Sequence, residues 1–328
     1  MNRAAWILAG LFVVLVVVLI FMFGDGDGEG TTTTGGVGST SLPGASTTPA
    51  ESSTTQAEAA TTTFAEATTT TAGTTTTAGL EGNWAGDPVV VAAFGALGWW
   101  DGSSWSQVEP QTSLPLSGGE SFQIAMLGLQ AITTGSEPTT LCEPLANPGV
   151  VLDNEEVLGD FPGPLGVAIS ASWELVPHLV EEIEDDGTNA GFAGELLAER
   201  GLNVADPVIK QLLRVDLEGD GVNEVIVVAE DVPADLFGEP GDYSIVFLRK
   251  TVGSDIRTSI LGEAVVLDAE DAPLLYSFSI GSVADLNGDG KMEIVLSSAY
   301  YEGVAVEVWE YVNDDQGPVP QLGQGCGA

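Results

Sequence analysis

The feature that most constrains this chain is an internal repeat. Asp216-Leu-Glu-Gly-Asp-Gly-Val-Asn-Glu224 returns sixty-nine residues later as Asp285-Leu-Asn-Gly-Asp-Gly-Lys-Met-Glu293. Around each copy the apolar pattern is the same. Residues 212–215 lead in with strand character, 225–229 lead out and 244–248 return; in the second copy 276–283, 294–297 and 304–311 do the same. Runs of this length, rich in Val, Ile and Leu and bounded by Asp, Asn and Gly, read as strands and turns. Repetition of one supersecondary unit outranks local propensity as evidence about fold. The expectation is a mainly β domain of antiparallel, blade-like meanders, forming a partial β-propeller or an open sheet.

Within each loop an oxygen-bearing side chain falls at positions 1, 3, 5 and 9, and Gly221 or Gly290 at position 6 lets the backbone turn through positive φ around a hard cation. An EF-hand needs a bidentate Glu at position 12 and helices on both sides. Position 12 here is Val227 or Leu296, inside an apolar run, and the fourth carboxylate comes at position 9 instead.

That arrangement, over residues 211–311, resembles the FG-GAP or VCBS repeats of integrin-α-like propellers. The resemblance implies a structural Ca2+ in each loop, giving two sites. Asp285, Asn287, Asp289 and Glu293 would bind through side chains and Lys291 through its carbonyl. Asp216, Glu218, Asp220, Glu224 and the carbonyl of Val222 would do so in the first copy. Glu218 departs from the Asp or Asn that the pattern favours.

The rest of the chain places these loops. Residues 4–23 are all apolar or Gly, which at 1.5 Å rise per residue matches a hydrocarbon core of roughly 30 Å. Arg3 precedes this run and Asp25, Asp27 and Glu29 follow it. The charge bias predicts a single-pass plasma-membrane anchor (1–23), with the N-terminus cytoplasmic and the C-terminal domain extracellular. Residues 24–79 are Thr-rich, with little to bury, and read as a disordered stalk. As a flexible coil this linker would hold the domain about 40 Å from the membrane.

Beyond it, residues 80–210 read as a β-rich subdomain with one or two short helices near 178–201, residues 211–312 as the two repeats, and 313–328 as a tail. The helix expected from 188 takes Thr188 or Asn189 as its cap and Gly201 as its end. A second is expected after Pro177. Further strands are expected at 89–94, 121–130, 150–153 and 166–171, with a hairpin turning at Asp101-Gly102. Cys142 and Cys326 form an even pair on the predicted outer side, where disulfides persist, and are expected to be bridged.

With 8 basic residues against 48 acids, the chain repels nucleic acid and attracts cations. No Gly-x-Ser-x-Gly, His-Glu-x-x-His or phosphate-binding loop occurs, and the only histidine, His178, has no nucleophile motif beside it. No acid among Glu155, Glu156, Asp160, Glu174, Glu181 and Glu182 stands out from the general acidity as catalytic. Trp99, Trp100 and Trp105 flank a tight turn, where indoles form a ligand face for sugars or partner pockets or else staple the hairpin to a core. The reading is a non-catalytic calcium-binding module for adhesion or scaffolding, its partner an extracellular protein or glycan. The alternative is a glycan-directed extracytoplasmic hydrolase with structural calcium.

Overall fold

The computed structural model describes residues 80–154, 158–159, 163–268 and 275–327, and among these residues there are seventeen strands and one helix. The expected anchor and stalk lie outside these residues. Among the described residues no helix is long and apolar enough to cross a membrane. The fold is mainly β, its sheets are antiparallel, and none closes on itself.

The first sheet has six strands in the order β3-β2-β1-β8-β4-β5. They are β1 (Val89–Ala92), β2 (Gly95–Trp100), β3 (Trp105–Gln107), β4 (Ser121–Met126), β5 (Leu129–Thr134) and β8 (Val167–Ile169). A small ladder, β6 (Thr139–Leu141) with β7 (Asn147–Gly149), stands apart from it. The run expected as one strand over 121–130 is a hairpin, turning at Leu127-Gly128. Residues 150–153 contribute only an isolated bridge, Leu152 to Gly135.

The second sheet comprises β9 (Val180–Glu182), β10 (Ile209–Val215), β11 (Glu224–Asp231), β12 (Tyr243–Val252) and β13 (Asp255–Val265), in the order β13-β12-β11-β10-β9. The third is β14 (Ser277–Ala284), β15 (Glu293–Tyr300), β16 (Gly303–Asn313) and β17 (Gly317–Gly327), in chain order. Each repeat is therefore a four-stranded meander with its acidic loop between the first two strands.

Residues 317–327, read from sequence as part of a tail, form the full-length edge strand β17 on β16. Residues 180–182, read as a helix after Pro177, form the edge strand β9, paired with β10 from Val180 opposite Val215 to Glu182 opposite Leu213. Edge pairing satisfies backbone groups that so short a helix would leave open at both ends.

Alternation explains the stacking, because successive side chains of a strand point to opposite faces. On β15, Val295 packs with the first sheet through Val90, Leu97, Val167 and Ile169, while its neighbours Ile294 and Leu296 pack with Leu213, Val215, Ile226 and Leu248 of the second. The third sheet thus lies between the other two. The outer face of the second sheet, Leu212, Val227, Ile245 and Phe247, is covered by α1 (Thr188–Glu199) through Ala193 and Leu197. Gly187 precedes α1, and the Asp185 carboxylate accepts the Asn189 and Ala190 N–H groups at 3.0 and 2.9 Å. The capping carboxylate thus comes from just before the expected Thr188 or Asn189. The helix ends as expected at Gly201, φ 92°. Cys142 and Cys326 are bridged, with Cα atoms 5.7 Å apart, which ties β17 to the chain between β6 and β7.

Candidate metal centre

The second loop closes on its own carboxylates. Asp285 Oδ1 accepts the Gly288 N–H at 2.6 Å and Oδ2 the Gly290 N–H at 3.0 Å. Asn287 Oδ1 accepts from Asp289 N at 3.0 Å and Asp289 Oδ1 from Lys291 N at 2.9 Å. Glu293, first residue of β15, reaches back so that Oε2 accepts the Leu286 N–H at 2.6 Å and Oε1 the Asn287 amide at 3.2 Å. Gly290 sits at φ 86°, a conformation that a side chain at this sixth position would strain. Leu286 and Met292, the residues between the ligating positions, are buried and anchor the loop in the core.

Two of these acids lie deep. Glu293 is 1% exposed and Asp285 4%. Burial pushes Glu293 well above the ordinary carboxylate range despite the Leu286 amide, and the charges of Asp285, Asp289 and Glu310 push it further. Burial likewise raises Asp285. Among the described residues no Lys or Arg lies within ion-pair distance of a carboxylate of this loop. Buried charge without a partner is costly, and a bound cation is one way to offset it. The second loop therefore fits a hard cation by chemistry and burial. Its carboxylates are turned to backbone amides, and among the described residues no three acids, His or Cys converge as a preformed metal cluster.

The first loop repeats the backbone scheme in part, with the first-position acid taking the fifth-position N–H where Asp285 Oδ1 takes the fourth. Asp216 Oδ1 and Oδ2 accept from Asp220 N and Gly221 N at 3.0 and 2.8 Å, and Asp220 Oδ1 accepts from Val222 N at 2.8 Å. Glu224 Oε2 accepts from Leu217 N at 2.8 Å, the counterpart of the Glu293 bond, and Gly221 has φ 85°. The loops differ also at the remaining oxygen of the ninth-position acid. Where Glu293 Oε1 meets an amide, Glu224 Oε1 faces the ammonium of Lys250 at 3.3 Å. Burial pushes Glu224 up to about 7, with Asp220 and Asp216 adding to the rise.

The loops are neighbours. Met292 N donates to Leu217 O at 2.8 Å, joining the end of one to the start of the other. The segment between β8 and β9 lies along both: Trp173 Nε1 donates to Asp285 O at 2.9 Å, and Asp285 N donates to Leu175 O at 2.7 Å. His178 Nε2 lies 3.1 Å from Gly290 O; a carbonyl only accepts, so Nε2 carries the proton. The same ring sits against Gly219 of the first loop. The lone histidine bridges two loops.

The tryptophan hairpin is built as expected, with Trp100 opposite Trp105 and the Asp101 carboxylate accepting the Ser103 and Ser104 N–H groups at 2.9 and 2.8 Å. Trp99 packs on the core between β1, β2 and β4, and Trp105 on the core shared with the third sheet. Trp105 Nε1 also donates to Glu310 Oε2 at 3.2 Å. Two of the three indoles are thus engaged inward, and Trp100 tilts over Trp105 with ring centroids 5.1 Å apart.

Of the six acids weighed for catalysis, Glu181 pairs with Arg214 at 2.7 Å, and Glu155, Glu156 and Asp160 lie outside the described residues. Sequence reasoning passed over Lys250, Glu310, Trp173 and the bridging place of His178. Lys250 and Glu310 correspond through strand register and not through the 69-residue spacing of the loops. No family model, no curated protein and no solved structure matches the chain.

Proposed function

We propose that this chain is a membrane-anchored, extracellular calcium-binding domain, with blade-like repeats of FG-GAP or VCBS type, acting as a non-catalytic adhesion or scaffold module at the cell envelope. One observation carries it: Glu293 and Asp285 are buried between two strands of a meander, and among the described residues no Lys or Arg lies within ion-pair distance of them. Asp285, Asn287, Asp289 and Glu293, with the Lys291 carbonyl, would hold the ion. Calcium there would neutralise buried charge and staple β14 to β15.

Extracellular calcium modules bind with dissociation constants of about 10⁻⁴ to 10⁻³ M. At a tenfold excess of free calcium, one site adds about 1.4 kcal/mol to folding stability. The melting temperature of the full chain is therefore expected to rise when chelator is replaced by millimolar calcium. Asp289→Ala, which changes an exposed loop position, is expected to abolish that rise. An unchanged melting temperature in the wild type would remove the reading. Binding without turnover on glycan, peptide and ester substrates is expected, and turnover would return the hydrolase alternative.

A further inference from the structure

We infer that the first loop carries its own cation, the ammonium of Lys250, and that only the second of the two repeats is a calcium site. The inference about the second loop rests on the reading above; that about the first does not.

Lys250 on β12 is 5% exposed, and its Nζ contacts the Glu218 carboxylate, lies 3.3 Å from Glu224 Oε1 and 3.6 Å from Asp314 Oδ1. The Tyr311 ring lies beneath it, with its centroid 4.3 Å from Nζ. Glu224 is 0% exposed and neither its Oε1 nor Nζ has a regular hydrogen bond, so among the described residues the Lys250 ammonium is the one cation within ion-pair distance of this buried oxygen. Glu218 and Glu224 are the third- and ninth-position acids, the same two positions whose counterparts Asn287 and Glu293 meet each other directly in the second loop. The ammonium therefore stands among the oxygens that would have to turn toward a metal. A divalent ion entering there would meet a fixed positive charge and would have to displace it.

Strand register shows that this is a difference between the repeats. In the first, Val225 is opposite Arg249, so Lys250 comes beside Glu224. In the second, Ile294 is opposite Trp309, so the residue beside Glu293 is Glu310. One repeat has a cation at this ladder position and the other an anion. Glu218, the residue that departs from the Asp or Asn of the family pattern, has the longer arm that reaches the lysine. The two departures are thus one substitution: a longer acid at position three together with a lysine on the third strand. The first loop then keeps its shape whatever the calcium level. Through the Met292 to Leu217 bond it gives the second loop a fixed support.

Equilibrium dialysis of the full chain against radioactive calcium counts the sites. One ion per chain is expected, kept in Asp220→Ala and lost in Asp289→Ala. Two ions, one of them lost in Asp220→Ala, would overturn the inference. If no ion binds at all, the calcium reading of the second loop fails, and the lysine is judged by stability in chelator. There Lys250→Met is expected to lower the melting temperature by several degrees, and Lys250→Met combined with Glu218→Gln and Glu224→Gln to recover most of the loss. A single variant that melts like the wild type, or a triple variant that recovers nothing, would overturn the role of Lys250.

Discussion

A carboxylate drawn partly out of water weakens the fold that holds it, and half-buried Glu307 on β16 isolates that effect from the loops. Burial raises its carboxyl above the ordinary range, against the Trp309 indole, which donates to Oε2 at 3.1 Å and pulls it down. With the folded-state pKa raised, the unfolded chain is the first to lose its proton as pH rises. Stability is then highest below the ordinary glutamate range and falls as pH climbs from that range through the raised folded value. Glu307→Gln removes the charge and keeps an acceptor for the indole. Its melting temperature is expected to exceed that of the wild type at neutral pH and to converge with it in acid. A Gln variant that melts lower at neutral pH would contradict the burial argument.

At the scale of elements, the repeat gave away the strands next to the loops and concealed those further out. β10, β11, β14 and β15 are short, apolar and bounded by Asp and Gly, so their pattern is plain in the sequence. β13 and β17 are edge strands: β13 runs Asp-Ile-Arg-Thr-Ser-Ile from its start, and β17 carries four Gly and two Pro. Their place follows from pairing with β12 and β16, which no local pattern records. The same holds for β9, whose Glu-rich sequence suits either state and whose fate is decided by the free edge of β10.

Close approach between elements was equally hidden. Gly281 lies at the register shift of β14, where its carbonyl accepts the Leu127 N–H at 2.9 Å and a Cβ would run into the Leu165 carbonyl oxygen. Gly281→Ala is therefore expected to destabilise by about 1–3 kcal/mol or more, as overpacking does. A denaturant midpoint equal to that of the wild type would show that the first and third sheets do not meet there as described.

At the scale of the molecule, the third sheet packs on the first and is tied by one covalent link to the chain between β6 and β7. The Cys142–Cys326 bridge spans 184 residues, and loop-closure entropy for so long a loop lies near the top of the usual range, about 4–5 kcal/mol. Reduction, or Cys142→Ser with Cys326→Ser, is expected to lower the melting temperature and leave the loop 2 calcium site intact. No change on reduction would show the bridge to be dispensable. The pairing itself was legible from the even cysteine count and the predicted compartment, whereas the sandwiching of the third sheet was not, because the run Ile294-Val295-Leu296 marks β15 as apolar on both faces without recording which sheet covers each.

The candidate site was legible to the extent that its ligands lie within nine consecutive residues. What distinguishes the two copies, Lys250 against Glu310, lies on strands that reach the loops only through sheet register. Calcium at the second loop and lysine at the first together make up the account. The most direct test is a crystal structure of the full chain grown with millimolar calcium. It is expected to show one ion, held by Asp285, Asn287, Asp289, Glu293 and the Lys291 carbonyl, with Lys250 against Glu218 and Glu224 in the other loop. A second loop without an ion, or an ion in the first loop with Lys250 displaced, would contradict it.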